Sequence, residues 1–221
     1  LLEIRFDESW QAASANRSPL RAAPAQRPEL SIRSAVVLVG HSDTAHTLAQ
    51  NLLSRLIFSE AFKEVACVCH PDFRYRGKMD GSSLKMIHVN FADEEEVRRE
   101  LRGFVVAFCL LGSALNEVGD NGFWLEGWQG MVQWDQTDRV QVVAAAQMLK
   151  DDGVCQQLHL LSAQGASQNS NQAFYQIKGI VEGKIEDMGF GRFCIYRPGF
   201  MHGKEPSCTG EIIASRLTVP L

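Results

Sequence analysis

The chain has 221 residues, 45% of them hydrophobic and 22% charged, the balance of a globular protein with one sizeable core. Its 22 Lys and Arg against 26 Asp and Glu leave a formal charge of −4, which disfavours a general nucleic-acid binder. The longest apolar runs, such as Phe104 to Leu111, fall far short of the ~20 residues that a membrane-spanning helix needs.

Residues 1–33 differ from the rest. Between Ser9 and Arg33, Arg17, Arg21, Arg27 and Arg33 stand against a single acid, Glu29, while Pro19, Pro24 and Pro28 interrupt any helix or central strand. An extended arm is expected, with the composition of either an organellar transit remnant or a disordered leader. Trp10, with the apolar start Leu1, Leu2, Ile4 and Phe6, favours an arm that docks on a partner. Trp10, Arg17 and Arg21 are therefore candidate partner contacts.

From Ser34 onward, strands alternate with helices. Ser34 to Gly40 is an apolar, β-branched run, and Thr44 to Leu56 places Leu48, Leu52, Leu53 and Leu56 at helical spacing. Val65 to Cys69 and Met86 to Val89 predict two further strands, and Asp93 to Glu96 the acidic start of a helix, where carboxylates suit the positive dipole end. Phe104 to Leu111 predicts a fourth strand closing on Gly112. Thr137 to Leu149 predicts a helix with Val140, Val143, Ala144 and Leu149 inward. Leu158 to Leu161, a helix over Phe174 to Met188, and Phe193 to Tyr196 follow. Continuously apolar strands alternating with helices predict an α/β fold: a doubly wound, mainly parallel Rossmann-like sheet with helices on both faces. In such a sheet the binding crevice lies beyond the carboxyl ends of the strands, where Gly40, Gly112, Ser162 and Pro198 fall. Residues 34–204 are the expected domain, and 205–221 a short tail.

The six cysteines sit mostly in apolar runs, as reduced core thiols do. Cys67-Val-Cys69-His70 has no second ligand pair at comparable spacing, so a zinc site is disfavoured. Three of the four tryptophans, Trp124, Trp128 and Trp134, crowd into a Gly-rich stretch. Packing on the sheet and contact with a partner are both open there, and Trp124 and Trp128 are the candidate interface pair.

Leu158 to Ala166 (LHLLSAQGA), then Tyr175-Gln176-Ile177-Lys178-Gly179 with Val181-Glu182, then Tyr196-Arg197-Pro198-Gly199, resemble the short-chain dehydrogenase/reductase superfamily, more closely its atypical, Tat-interacting oxidoreductase-like branch. Order and spacing agree over about residues 34 to 204. The resemblance implies a Rossmann fold and, in active relatives, NADP-dependent redox chemistry. It places Gly40, Ser42, Thr44, Arg74, Gly112, Lys178 and Pro198 around an NADP(H) pocket, and Ser162, Tyr175 and Lys178 in the catalytic set of an active enzyme.

Departures from that pattern shape the expectation. Active relatives carry Gly-x-x-Gly-x-x-Gly at the first turn, because pyrophosphate must approach bare backbone at a helix N-terminus. Here the turn reads Gly40-His41-Ser42-Asp43-Thr44-Ala45-His46, so a capped turn without a ligand, Ser42, Asp43 or Thr44 serving as cap, explains the segment better. Arg74 and Arg76 come later than the arginine that meets a ribose phosphate, and are either weak phosphate ligands or solvated loop cations. A proton-donating Tyr belongs four residues before the Lys, yet that position is Phe174; Tyr175, three residues before, is rotated by about 100° on the helix. Ala163 stands where the second Ser of the strand-end pair belongs. Lys178 itself is either a ribose ligand or a surface lysine.

Two functions follow. The preferred one is a catalytically degenerate dehydrogenase-like protein serving as a structural, accessory or assembly subunit of a larger complex. That complex is expected in an organelle, with the mitochondrial matrix side favoured and the cytoplasm as alternative. The resemblance supplies the precedent: respiratory complex I contains a dehydrogenase-fold accessory subunit. The alternative is an active or cofactor-sensing NAD(P)H-dependent oxidoreductase. Bound NADP(H) and no cofactor are equally compatible with the sequence, and partner subunits would meet the N-terminal arm and the Trp-rich segment.

Overall fold

A computed structural model of the chain describes residues 34–59, 61–77, 84–113 and 135–199. Trp10, Arg17, Arg21, Trp124, Trp128 and the tail expected at 205–221 lie outside them. The strands are β1 (Ser34–Val39), β2 (Glu64–Cys69), β3 (Leu84–His88), β4 (Val106–Leu110), β5 (Gln157–Leu161) and β6 (Arg192–Tyr196). The helices are α1 (Asp43–Phe58), α2 (Glu94–Glu100), α3 (Gln141–Asp151) and α4 (Ala173–Asp187), with a π-helical turn, Gln136–Val140, leading into α3. Among the described residues no helix is long and apolar enough to cross a membrane.

The six strands form one sheet in the order β3-β2-β1-β4-β5-β6, and every pairing is parallel. This is the Rossmann order, reversing between β1 and β4. Strand alternation divides the core in two. Val36, Leu38, Ala107, Cys109, Leu158 and Leu160 point to the face covered by α2, α3 and α4, through Val97, Val142, Ala146, Val181 and Ile185 among others. Val37, Val39, Val65 and Cys67 point to the opposite face, where α1 brings Ala45, Ala49, Leu53 and Leu56. Helices thus cover both faces, as the continuously apolar strands require.

The apolar thiols behave as core groups. Cys67, Cys69, Cys109 and Cys155 are buried and unpaired, and burial pushes the thiols of Cys109 and Cys155 up to about 11. A hydrogen bond with Cys69, together with burial, raises Cys67 as well.

One expectation is corrected in α3. Val142, Ala145, Ala146, Met148 and Leu149 are its buried residues, while Val143 and Ala144 are only partly buried and Val140 belongs to the π turn. The N–H of Gln141 reaches the carbonyl of Gln136, a five-residue step. The inward stripe runs through Val142, Ala145, Ala146 and Leu149, so Leu149 lies inward as predicted while Val143 and Ala144 flank the stripe and pack against the core from its edge.

Helix α4 seats on the segment after β5 through glycine. A Cβ at Gly179 would collide with the backbone of Ser167 and Gln168, whereas one at Gly183 would meet only the side chain of Gln168. Gly179→Ala is therefore expected to destabilise the fold by about 1–3 kcal/mol through overpacking. Gly183→Ala, whose obstacle can swing away, is expected to be neutral or to gain up to about 1 kcal/mol of helix propensity. Thermal unfolding of both variants checks the opposite signs.

Candidate functional site

The carboxyl ends of all six strands open on one side, and the turns after β1 and β4 meet at the switch in strand order. Gly40 and Gly112 are backbone neighbours there: a Cβ on Gly40 would lie 3.5 Å from the nitrogen of Gly112. Of the candidate caps, Ser42 is the one used. Its buried hydroxyl accepts from the N–H of Ala45 at 3.0 Å, while Asp43 stands exposed in the first turn and Thr44 is buried behind it. His46 holds the turn from below, with Nε2 2.9 Å from the carbonyl oxygen of Gly40 and its ring on Phe73.

After β2 the loop closes on itself. His70 and Asp72 pair at 3.2 Å, and the Arg74 guanidinium donates to the carbonyls of Pro71 and Phe73. Arg74 is exposed and turned onto its own loop, the arrangement of a loop cation.

The centre of the site lies at the end of β4. Lys178 of α4 is only 7% exposed, which overturns its reading as a surface lysine, and Asp138 of the π turn is 1% exposed. Their charges meet at 2.8 Å, Nζ to Oδ1. Asp138 also accepts from the N–H of Ser113 at 2.8 Å and from the Thr137 hydroxyl at 3.2 Å. Gly112, at φ 102°, lets the chain pass beside the pair: a Cβ there would stand 2.7 Å from Lys178 Nζ and 2.8 Å from Asp138 Oδ1. The π turn is braced at its start by Arg139, which pairs with Asp135 through two hydrogen bonds of 2.6 and 2.5 Å.

Phe174, one α-turn before Lys178, places its ring 5.6 Å from the ammonium. Tyr175 packs elsewhere: its ring stands edge-on to Phe174 and beside Gly165, where a Cβ would lie 3.5 Å from it. The group facing Lys178 thus carries no proton, and the available phenol is on the neighbouring face, as the helical spacing requires. Ser162, just beyond β5, is buried, and its hydroxyl oxygen lacks a hydrogen-bond partner among the described residues. Its N–H donates to Tyr196 and that of Gln164 to Pro198, so the turns after β5 and β6 run side by side. Glu182, almost fully buried, holds Arg197 through two bonds of 2.9 and 2.5 Å, fixing the Arg-Pro-Gly turn.

Asp138 was not singled out from the sequence, although one signal was present. It lies on the apolar stripe Asp138, Val142, Ala145, Leu149, where an acid has no place unless it is paired.

These residues fit the ribose and nicotinamide end of a dinucleotide better than its pyrophosphate. The Ser162 hydroxyl, without a partner among the described residues, and the buried Lys178 lie on the side of the sheet built on β4 to β6, with the Gly112 backbone packed against the pair. An ammonium has three N–H donors and Asp138 engages one. Lys178, Ser162 and the Gly112 backbone would hold that end, and the cofactor would supply a hydride. At the first turn Asp43 and His46 stand where the pattern's second and third glycines would leave bare backbone.

Gly112→Ala is expected to cost about 3 kcal/mol or more, because it adds a strained φ and forces the buried charges apart. Gly103→Ala, also at positive φ but with nothing within 4 Å of the new Cβ, is expected to cost only about 1–2 kcal/mol. Urea unfolding of the two variants separates strain from loss of the pair.

No protein-family model matches the chain. Protein HTATIP2 of Rattus norvegicus is 26% identical over 185 residues, covering 83% of this chain and 69% of that protein. DesIV, a dTDP-glucose 4,6-dehydratase from Streptomyces venezuelae solved with NAD and TYD bound, superposes with a TM-score of 0.56 at 15% identity, over 83% of this chain and 62% of its own. Pen from Bacillus thuringiensis gives 0.57 at 13% identity, over 78% and 54%. The chain thus spans little more than half of these solved structures, and at such identities they speak for the fold alone. With the strand order, they show a Rossmann-like α/β fold, and the chain is similar to HTATIP2 over most of its length.

Proposed function

We propose that this chain is a dehydrogenase-fold protein without the proton-transfer chemistry of a dehydrogenase, serving as a structural, accessory or assembly subunit of a larger complex, organellar and on the mitochondrial matrix side. One observation carries the proposal: the side chain presented to Lys178 is the phenyl ring of Phe174, and the ammonium is already engaged by Asp138. In the dehydrogenase mechanism a cationic neighbour lowers the pKa of a phenol so that a proton moves beside the hydride. A phenyl ring offers none. The basic arm with Trp10, Arg17 and Arg21, and the segment with Trp124 and Trp128, supply the partner surface by composition.

The unpartnered hydroxyl of Ser162 favours a second function, a retained NADP(H) pocket in a cofactor-sensing or active reductase. In that case Ser162 donates to a ligand oxygen, Lys178 to the ribose hydroxyls, and Tyr175 must reach across from its own helix face to act as acid.

Two measurements discriminate. After gentle extraction the chain is expected to migrate with an assembly well above its own 24.6 kDa, and migration as a free monomer overturns the subunit proposal. NADPH oxidation against a panel of aldehydes and ketones is expected to be undetectable for the wild type. Wild-type turnover that disappears in Tyr175→Phe would establish the active reductase instead. Turnover gained by Phe174→Tyr, by about a hundredfold or more for one restored acid, would show that a cofactor still binds productively beside a disabled acid.

A further inference from the structure

The sheet ends at β6, and among the described residues no strand lies on its outer edge. An edge strand carries a row of unpaired backbone groups, which proteins blunt with lysine, proline or a covering element. The sequence of β6, Arg-Phe-Cys-Ile-Tyr, has no lysine or proline, and its three central apolar residues are only partly buried. Which backbone groups face outward follows from the ladder. The N–H of Arg192 donates to the carbonyl of Gln156, and the carbonyl of Tyr196 accepts from the N–H of Ser162. Arg192, Cys194 and Tyr196 therefore direct their backbone groups at β5, and Phe193 and Ile195 direct theirs away from it. Tyr196 is 50% exposed yet held in place: its ring stacks on His159, whose Nδ1 lies 3.0 Å from the phenol oxygen.

We propose that the outer edge of β6 pairs antiparallel with β6 of a second copy of this chain, about a two-fold axis that passes between the two Cys194 residues, so that two sheets join into one. The strand is complementary to its own reverse. With Cys194 opposite its counterpart, Phe193 stands opposite Ile195 of the second copy, and Arg192 opposite Tyr196 of the second copy. The backbone phase agrees. Phe193 and Ile195 carry the outward groups, so they form the hydrogen-bonded pairs of an antiparallel ladder, each exchanging both N–H···O bonds, while Cys194 falls in a non-hydrogen-bonded pair, as its groups directed at β5 require. An aromatic ring against a β-branched residue, and an arginine on a fixed tyrosine ring, are favourable cross-strand neighbours. The opposite edge of the sheet fails the same comparison: β3 reads Leu-Lys-Met-Ile-His and would set Lys85 against Ile87 of a second copy. The proposal concerns the sheet edge and depends on neither function given above.

Sedimentation of the purified full chain in reductant, up to tens of micromolar, is expected to give a mass twice its own 24.6 kDa. Ile195→Pro removes an N–H that β5 does not use, a change that an edge strand tolerates, and is expected to weaken the dimer by about tenfold or more while thermal unfolding stays cooperative. A second measurement leaves the edge backbone untouched. The Cα atoms of a non-hydrogen-bonded pair lie about 4.5 Å apart, within the range that a disulfide spans. In a Cys208→Ser background, the diazene oxidant diamide, which takes up the two protons and two electrons released by two thiols, is expected to link the copies through Cys194 to Cys194, identified by peptide mass spectrometry. Cys194→Ser is expected to abolish the link and keep the dimer. A monomer at every concentration, as follows if another segment of this chain occupies the edge, overturns the proposal. So does a dimer that a folded Ile195→Pro leaves unchanged, or one that diamide does not link through Cys194.

Discussion

The contact between Lys178 and Asp138 governs how this half of the molecule is built. Removing two charges from water costs several kcal/mol for each ion, and at 2.8 Å their attraction returns about 6 kcal/mol at an effective dielectric of about 20. The two terms nearly cancel. The pair therefore adds little net stability while demanding close geometry, and either charge alone would be a severe liability. That demand explains several features at once. Asp138 of the π turn lies on the inward stripe, the N–H of Ser113 satisfies a second lone pair, and Gly112 leaves space where any Cβ would intrude.

The same constraint joins the two halves of the Rossmann sheet. Gly112 lies against Gly40, so the ion pair borders the turn that opens α1 across the switch point. On the other side, Ser162 and Gln164 bond to the turn after β6, which Glu182 holds through Arg197 from the same helix that carries Lys178. Helix α4 consequently bears two buried charges, Lys178 and Glu182, each paired to a different neighbour at the crevice. Gly179, between them, lets the helix seat against the backbone after β5. The carboxyl ends of β4, β5 and β6 are thereby tied to one helix.

Most of the scaffold was legible in the sequence because strands buried on both faces are continuously apolar, as at Val36 to Val39 and Val65 to Cys69. That a phenyl ring lies beside Lys178 was legible for an equally local reason: four residues make about one helical turn, so Phe174 comes onto the face of Lys178. What escaped was non-local. Asp138 and Lys178 each occupy an apolar stripe of their own helix, at positions where a charge is anomalous in isolation. Only the packing of α4 against the π turn shows that the two anomalies cancel. The π turn was also invisible, because apolar spacing reports the average period of a helix and not a single inserted residue.

The pairing also bears on what the ammonium does beside a phenyl ring. In a proton-transferring site the lysine cation acts through its effect on the neighbouring hydroxyl, and without that hydroxyl a buried ammonium has no chemical task. A lysine without a task drifts to solvent or is replaced by an apolar residue, since burying it unpaired is costly. Here it stays buried, with a dedicated carboxylate, a widened helical turn and a strained glycine all accommodating it. Those accommodations are intelligible if the charge still holds something, either the ribose of a nucleotide or the junction of β4, α3 and α4. The Ser162 hydroxyl, buried and without a hydrogen-bond partner among the described residues, is the observation that supports the nucleotide in the second function proposed above.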